Sequence, residues 1–555
     1  MVNEGSPLVL SQQQRQDVSP RRRAIPVLLT IALCAVITVH FFPQNTLSES
    51  SPSALGDTSS YPRLGNTHKL TPHSLLVPPE VTRRCQWVQD QFEEKDGPDV
   101  EGTLLRETYN IQSVNFNIFY RATAHIFWKD FTNEWGHLPR LILDQEIQGH
   151  GDIPLSPKST WTWVTGDQHL SNFGAWRNRN GDVVFSVNDF DEAAIYDFHI
   201  DVLRIAVSIC NHALTNGLDD EETSDALHAF TDSYVDTVRG YVGNEDALLF
   251  ELTPKTAHGE LKKFLKKVKR KDSATKQVEK FTEVDPISGD RSFIKGAIGV
   301  AHKDTNLADL PPEVEAKIRA AFASTQYGAT MMKLGWNMRQ WDDDYFTVLD
   351  VAGRINSGVG SFGVTRYFVL LQGTDGLLDE DEDGSAVILD VKYEPLAAVE
   401  RILNVDELAW YNNMFTNAAA RVAEGQRRLT SYVDPFTGWV MLEDDDGVLQ
   451  PFNVRQRSPW KEGFDVDELT DPNDFIDFST QIAIATATSH VRGSVAKAPA
   501  DFKNVIASIM KKKANRKAWG HMVERLARDY HDQVLLDYSC FHEFVETKYG
   551  AQDTT

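Results

Sequence analysis

Residues 165–193 read TGDQHLSNFGAWRNRNGDVVFSVNDFDEA, a run of alternating apolar and polar positions broken in its middle by Asn180-Gly181. Alternation of period two marks strands with one face buried. Asn-Gly between two such runs predicts a hairpin closed by a two-residue type I′ turn. In that register, residues whose numbers sum to 361 face each other: Arg179 opposes Asp182, Arg177 opposes Val184, and Asn172 opposes Asp189 at the open end. Beyond the hairpin the period lengthens. Ile200, Leu203, Val207 and Cys210 share a helical face that Asn216-Gly217 ends. Asp219 and Asp220 can cap a second helix with the stripe Leu227, Phe230, Tyr234, Val238 and Tyr241. Strand patterns recur at 364–371, 386–392, 438–442 and 450–456, and residues 474–545 read as largely helical. Together these predict an α+β protein with a strand-rich section between helical ones.

The N-terminus has a different texture. Residues 24–42 contain no Lys, Arg, Asp or Glu, and Arg21, Arg22 and Arg23 stand just before them. Nineteen such residues match a hydrocarbon core of ~30 Å, and the basic residues favour the cytoplasmic side. The resulting layout has a cytoplasmic tail (1–23), a transmembrane signal anchor (24–42), a Ser/Pro/Thr-rich stalk (43–82), one domain (83–545) and a short tail (546–555). Within the domain, 83–345 and 455–545 read as mainly helical and 346–454 as strand-rich. A single-pass membrane protein follows, with its domain lumenal or extracellular. The absence of any N-x-[ST] site after the anchor leaves the mitochondrial inner membrane as the alternative.

Composition narrows the partners. A net charge of −24 and a pI of about 5.1 argue against nucleic-acid binding. Four cysteines without C-x-x-C spacing exclude a zinc ribbon and a disulfide framework; one bridge remains open, but buried or free thiols are the preferred reading. The basic stretch 259–271, GELKKFLKKVKRK, reads as a solvated helix face. LDEDEDG at 378–384 partly matches a calcium loop but sits between strands, so it reads as a hairpin tip.

Asp167, Asn172 five residues on, a hairpin, and then Asp189 resemble the catalytic segment of protein kinases and, more closely, of aminoglycoside-type small-molecule kinases. The resemblance implies that Asp167 orients or deprotonates the attacking hydroxyl, and that Asn172 and Asp189 hold Mg²⁺ through oxygen. His169 would be structural, and Asp201 would brace the loop through backbone hydrogen bonds.

A nucleotide site also needs a phosphate cover and a lysine. Gly358, Gly360 and Gly363, with Ser361 between them, make G-x-G-x-x-G followed by strand-like residues rather than a helix. That disfavours a dinucleotide fold and favours a kinase-type glycine hairpin. AVILDVK ends in Lys392, like the lysine that contacts nucleotide phosphates. These pieces follow the catalytic segment instead of preceding it, so the expectation is a two-lobed, permuted kinase-like fold.

Residues 105–545 resemble the family called domain of unknown function 2252. The matching stretches include NFNIFYRA (115–122), GDQHLSNFG (166–174), NDFDEA (188–193), DVLRIAVS (201–208), GRINSGVGSFGVTRY (353–367), LDVKYE (389–394) and NVRQ (453–456). The chain departs from the pattern at Arg121-Ala122 and after His490. Arg121 and Arg455 are candidate phosphate contacts. The expected function is a membrane-anchored, ATP- and Mg²⁺-dependent phosphotransferase of unknown acceptor. A non-catalytic nucleotide-binding scaffold is the first alternative. A metal-dependent phosphoesterase is the second, although its GD-x-x-D-R and GNH[DE] motifs do not occur.

Overall fold

Caps and a glycine set the limits of the central helices. His199–Asn216 ends at Gly217, whose φ of 77° is left-handed and carries no Cβ penalty. Asp219 then accepts from Glu222 N at 2.9 Å while the Glu222 carboxylate accepts from Asp219 N at 2.8 Å. This reciprocal box opens the helix Asp220–Gly240. Pro472–Ser494 packs along that helix and buries residues around its whole circumference, so it is a core element rather than an amphipathic surface one. The structure is a computed structural model that describes residues 81–96, 102–134, 160–271, 274–333, 344–355, 364–373, 386–403, 405–495 and 502–550.

The N-terminal helix Val81–Asp96 lies against the C-terminal helix Lys513–Tyr549. A disulfide joins Cys85 to Cys540, and Cys210 is free and buried. This corrects the preference for unbridged thiols, because residues 455 apart in sequence become neighbours only through folding. Beside the bridge, buried Arg84 donates to both Asp130 and Asp537 at 2.6–2.9 Å. Phe92 and Phe541 stack with centroids 4.1 Å apart.

Among the described residues the strands are β1 (Trp161–Val164), β2 (Phe173–Arg177), β3 (Val183–Val187), β4 (Ala194–Asp197), β5 (Thr282–Val284), β6 (Arg291–Phe293), β7 (Leu307–Ala308), β8 (Val348–Arg354), β9 (Arg366–Leu371), β10 (Val387–Tyr393), β11 (Gly438–Glu443), β12 (Leu449–Gln456) and β13 (Glu462–Gly463). The largest sheet has the order β11-β12-β10-β9-β8-β7, antiparallel throughout. Both its faces are covered. Val369, Leu371, Val387, Leu389 and Val391 enter a core with Ile318 and Phe322 of the helix Pro312–Phe322. The alternate residues Phe368, Leu370 and Ile388 pack with Val278, Phe281 and Phe293. Two-sided burial explains why β9 and β10 read as continuous apolar runs. The sheet's cores thus draw in residues 278–322, which the sequence reading grouped with the helical part.

The β2–β3 hairpin closes differently from the expected turn. Phe173 pairs with Val187 and Arg177 with Val183, so facing residues sum to 360. Gly181 N donates to Asn178 O at 3.0 Å, and Gly181 has φ +84°, whereas Asn180 is not among the positive-φ residues. This is a three-residue loop of a right-handed turn followed by a left-handed glycine. Asn178 explains the extra residue. Its Oδ1 accepts from Asn180 N (3.0 Å) and Asp182 N (2.9 Å), and its Nδ2 donates to Glu251 at 2.8 Å. Asn172 consequently faces Asn188, whose N donates to Asn172 O at 3.0 Å, and Asp189 lies one residue beyond.

The membrane assignment is corrected. Among the described residues no helix is long and apolar enough to cross a membrane. Residues 24–42 themselves, with the tail and most of the stalk, lie outside the described residues. The anchor, the membrane partner and the single-pass localisation therefore have no support in the fold.

Candidate functional site

The loop between β1 and β2 is held by one buried carboxylate. Asp201, in the first turn of His199–Asn216, accepts from Thr165 N (2.8 Å), Gly166 N (2.9 Å) and Thr165 Oγ1 (3.1 Å). His490 Nε2 lies 3.1 Å from the same carboxylate, and His490 Nδ1 is 2.7 Å from the Tyr234 hydroxyl. Gly166 has φ +77°, and a Cβ there would run into the Glu192 carbonyl, so glycine is required. Its own carbonyl accepts from Trp128 Nε1 at 2.7 Å.

Fixed in this way, the loop presents Asp167. Arg204, one helical turn beyond Asp201, donates from Nε to Asp167 Oδ1 at 2.7 Å. The guanidinium is wedged 4.0 Å from the Tyr120 ring centroid and 5.0 Å from that of Phe127, and Nη2 donates to Tyr120 O at 2.6 Å. Burial pushes the Asp167 carboxyl up to about 7, against the pull of Arg204. Asn172 Nδ2 donates to Asp167 O at 2.8 Å, which ties the amide to the loop. His169 is buried with Nε2 3.9 Å from Asp167 Oδ2. Burial, with the nearby Arg121 and Arg204 charges, keeps its imidazole well below the usual range.

The second cluster follows β3. Arginines satisfy its carbonyls: Arg455 Nη1 donates to Asn188 O at 3.0 Å, and Arg421 Nη1 to Asp191 O (2.7 Å) and Ala193 O (2.8 Å). Glu192 accepts from Ala398 N at 2.6 Å. Lys392, reaching from β10, pairs with Asp191. Burial and then the adjacent Asp191 raise the Asp189 carboxyl. Asp191 is itself held low, against burial, by Lys392.

Both clusters open on one cavity of about 620 Å³, lined by Arg121, Asp167, Asn172, Asp189, Asp191 and Lys392. Val364, Tyr367, Leu442 and Phe452 supply an apolar part of its wall. Its volume falls within the ~300–1,000 Å³ typical of small-molecule sites. Arg121, at the end of the short helix Phe116–Arg121, is brought to the cavity. Arg455 does not line it: it lines two smaller cavities, one shared with Asp191 and Lys392, and donates to the backbone of Asn188. Gly358, Gly360, Ser361 and Gly363 lie outside the described residues, as does the 378–384 insert. The strands on either side of the glycine motif, β8 and β9, are antiparallel neighbours, and Lys392 on β10 pairs with Arg366 of β9. The basic stretch forms the helix Gly259–Lys271, which buries Leu261, Leu265 and Val268 and leaves its charged side to solvent.

Sequence reasoning did not single out Arg204, Asp191 or Glu192. A signal existed for each: Arg204 follows Asp201 at i+3 on a helix, and NDFDE carries two acids beyond Asp189. Their partners, however, are remote in sequence.

A family model described as an uncharacterized protein conserved in bacteria, DUF2252, matches residues 111–544. The chain belongs to the DUF2252 family. The match takes in both polar clusters, the large sheet and the helix Pro472–Ser494 of this DUF2252 protein. No curated protein and no solved structure matches it.

Proposed function

We propose that this DUF2252 chain is a phosphotransferase with a permuted, kinase-like arrangement, taking its phosphoryl group from ATP with the aid of Mg²⁺. The observation that carries this reading is that Lys392, on β10 of the large sheet and about 200 residues further along the chain, lines the same cavity as Asp167, Asn172 and Asp189 around the β2–β3 hairpin. The donor set suits a hard cation: Asn172 and Asp189 offer oxygens. Asp189 is raised by burial and by repulsion from Asp191, a strain that a divalent cation relieves. Mg²⁺ held there would neutralise charge on the transferring group.

Arg204 occupies Asp167 Oδ1 and leaves Oδ2 for the acceptor hydroxyl. With a carboxyl near 7, Asp167 is matched to general-base work at neutral pH. It takes the hydroxyl proton as that oxygen bonds to the terminal phosphorus; the phosphorus–oxygen bond to ADP breaks, and its electron pair leaves with ADP. Lys392, oriented by Asp191, pairs with the donor phosphates.

The test is titration of the full chain with Mg-ATP, read by thermal shift. Wild type is expected to be stabilised, and Asp189→Ala and Lys392→Met to bind at least tenfold more weakly. Equal binding by wild type and both variants would remove the proposed roles.

A further inference from the structure

Part of the cavity lining takes no share in the transfer chemistry. Arg121 and His125 come from the short helices Phe116–Arg121 and Ala124–Lys129. His125 is 6% exposed, and neither ring nitrogen has a hydrogen-bond partner. Phe92 meets the ring edge-on, with centroids 5.3 Å apart. Burial, reinforced by Lys95 and Lys129, holds the imidazole well below its usual range, so it is neutral and offers one donor and one acceptor. The Arg121 side chain makes no hydrogen bond or ion pair among the described residues, although the Asp167 and Asp189 carboxylates attract its charge, and Asp167 Oδ1 is already taken by Arg204. Lys95 and Arg401 line the same cavity.

Buried polar groups in folded proteins are almost always partnered. His125, buried and unpartnered on the cavity wall, is therefore a statement about what fills it, and Arg121, half-buried, adds an unpaired positive charge to the same cavity. A guanidinium calls for a carboxylate or phosphate. A neutral imidazole with unpartnered nitrogens can hold a hydroxyl through either one, as donor or as acceptor.

We infer that Arg121 and His125 form an acceptor subsite for a small hydroxylated anion, a phosphorylated or carboxylated polyol; as an acceptor site, this rests on the phosphotransferase reading above. Arg121 holds the anionic group, and His125 fixes a hydroxyl of the same molecule, leaving another hydroxyl for Asp167.

Calorimetric titration of the full chain with glycerol 3-phosphate and with D-glycerate, each compared with glycerol, tests this directly. At least one anion is expected to bind tenfold or more tightly than glycerol, and the two arms tell phosphate from carboxylate. Arg121→Gln is expected to weaken that binding at least tenfold, with Arg121→Lys recovering part of it. His125→Phe is expected to weaken it with Mg-ATP binding intact. If His125→Phe does not fold, the Arg121 pair decides. Anions that bind no better than glycerol, or equally well to folded Arg121→Gln, overturn the inference. So does competition between the anion and a non-hydrolysable Mg-ATP analogue, which would assign Arg121 to the donor. If no nucleotide binds while Arg121-dependent anion binding persists, the anion site stands and the phosphotransferase reading falls.

Discussion

Asp201→Asn is the most searching perturbation of the site, because it changes one atom and nothing in volume. The carboxylate is fully buried, so no solvent replaces what is lost. Oδ2 serves Thr165 N, Thr165 Oγ1 and His490 Nε2, and Oδ1 serves Gly166 N. The amide nitrogen of Asn must take one of these positions, where it meets donors with another donor. The less damaging choice sets it against Gly166 N, which forfeits one hydrogen bond to a charged acceptor and leaves a buried N–H unsatisfied. The remaining three weaken as their acceptor loses its charge. The loss comes to about 2–4 kcal/mol. For a chain of this length that corresponds to a fall in melting midpoint of roughly 2–4 °C, smaller per kcal/mol than in small domains because the unfolding entropy grows with size. Scanning fluorimetry measures it, with exposed Asp225→Asn as the control. Mg-ATP titration of the same samples reads the effect on the site. A midpoint within about 1 °C of wild type would mean that the carboxylate does not anchor the loop.

Three further outcomes follow from the geometry. Asp167 has its carboxyl at about 7 in the fold against 3.8 in the free residue, so the folded state binds the extra proton between those values and its stability falls as pH rises through them. The melting midpoint of Asp167→Asn should therefore gain on wild type between pH 5 and pH 8. Its 19% side-chain exposure trims the gain, and a flat difference refutes the shift. Reduction of the Cys85–Cys540 bridge, or Cys540→Ser, should cost about 2–4 kcal/mol, measured as a lower midpoint; an unmoved midpoint on full reduction refutes it. Gly181→Ala should destabilise by about 1–2 kcal/mol because φ is +84°, while Asn180→Ala should stay within ~0.5 kcal/mol; the reverse order would restore the two-residue turn.

Much of the secondary structure was legible because its causes are local. The stop at Gly217 and the Asp219 cap act within a few residues of chain, and the β9, β10, β11 and β12 runs announced themselves by apolar content. Asp167, Asn172 and Asp189 were found in the same way, because a hairpin returns its ends to each other whichever turn closes it. The turn itself was not legible: Asn-Gly alone favours two residues, and the third is held by Asn178, which also bonds to Glu251, far along the chain. The membrane anchor found no support for another reason: residues 24–42 lie outside the described residues. A charge-free run satisfies the length rule on its own, and no described helix carries that property into the fold.

The sequence by itself determined the limits of the central helices at Gly217 and Asp219, the runs that form β9 to β12, and which hairpin carries the acids, since caps, periodicity and turn propensity act over a handful of residues. Only the tertiary structure decided that Arg204 would hold Asp167, that Lys392 would pair with Asp191, that Arg455 would turn to a backbone carbonyl, and that Cys85 would meet Cys540. Those contacts join elements remote in sequence, which no local spacing or periodicity brings together.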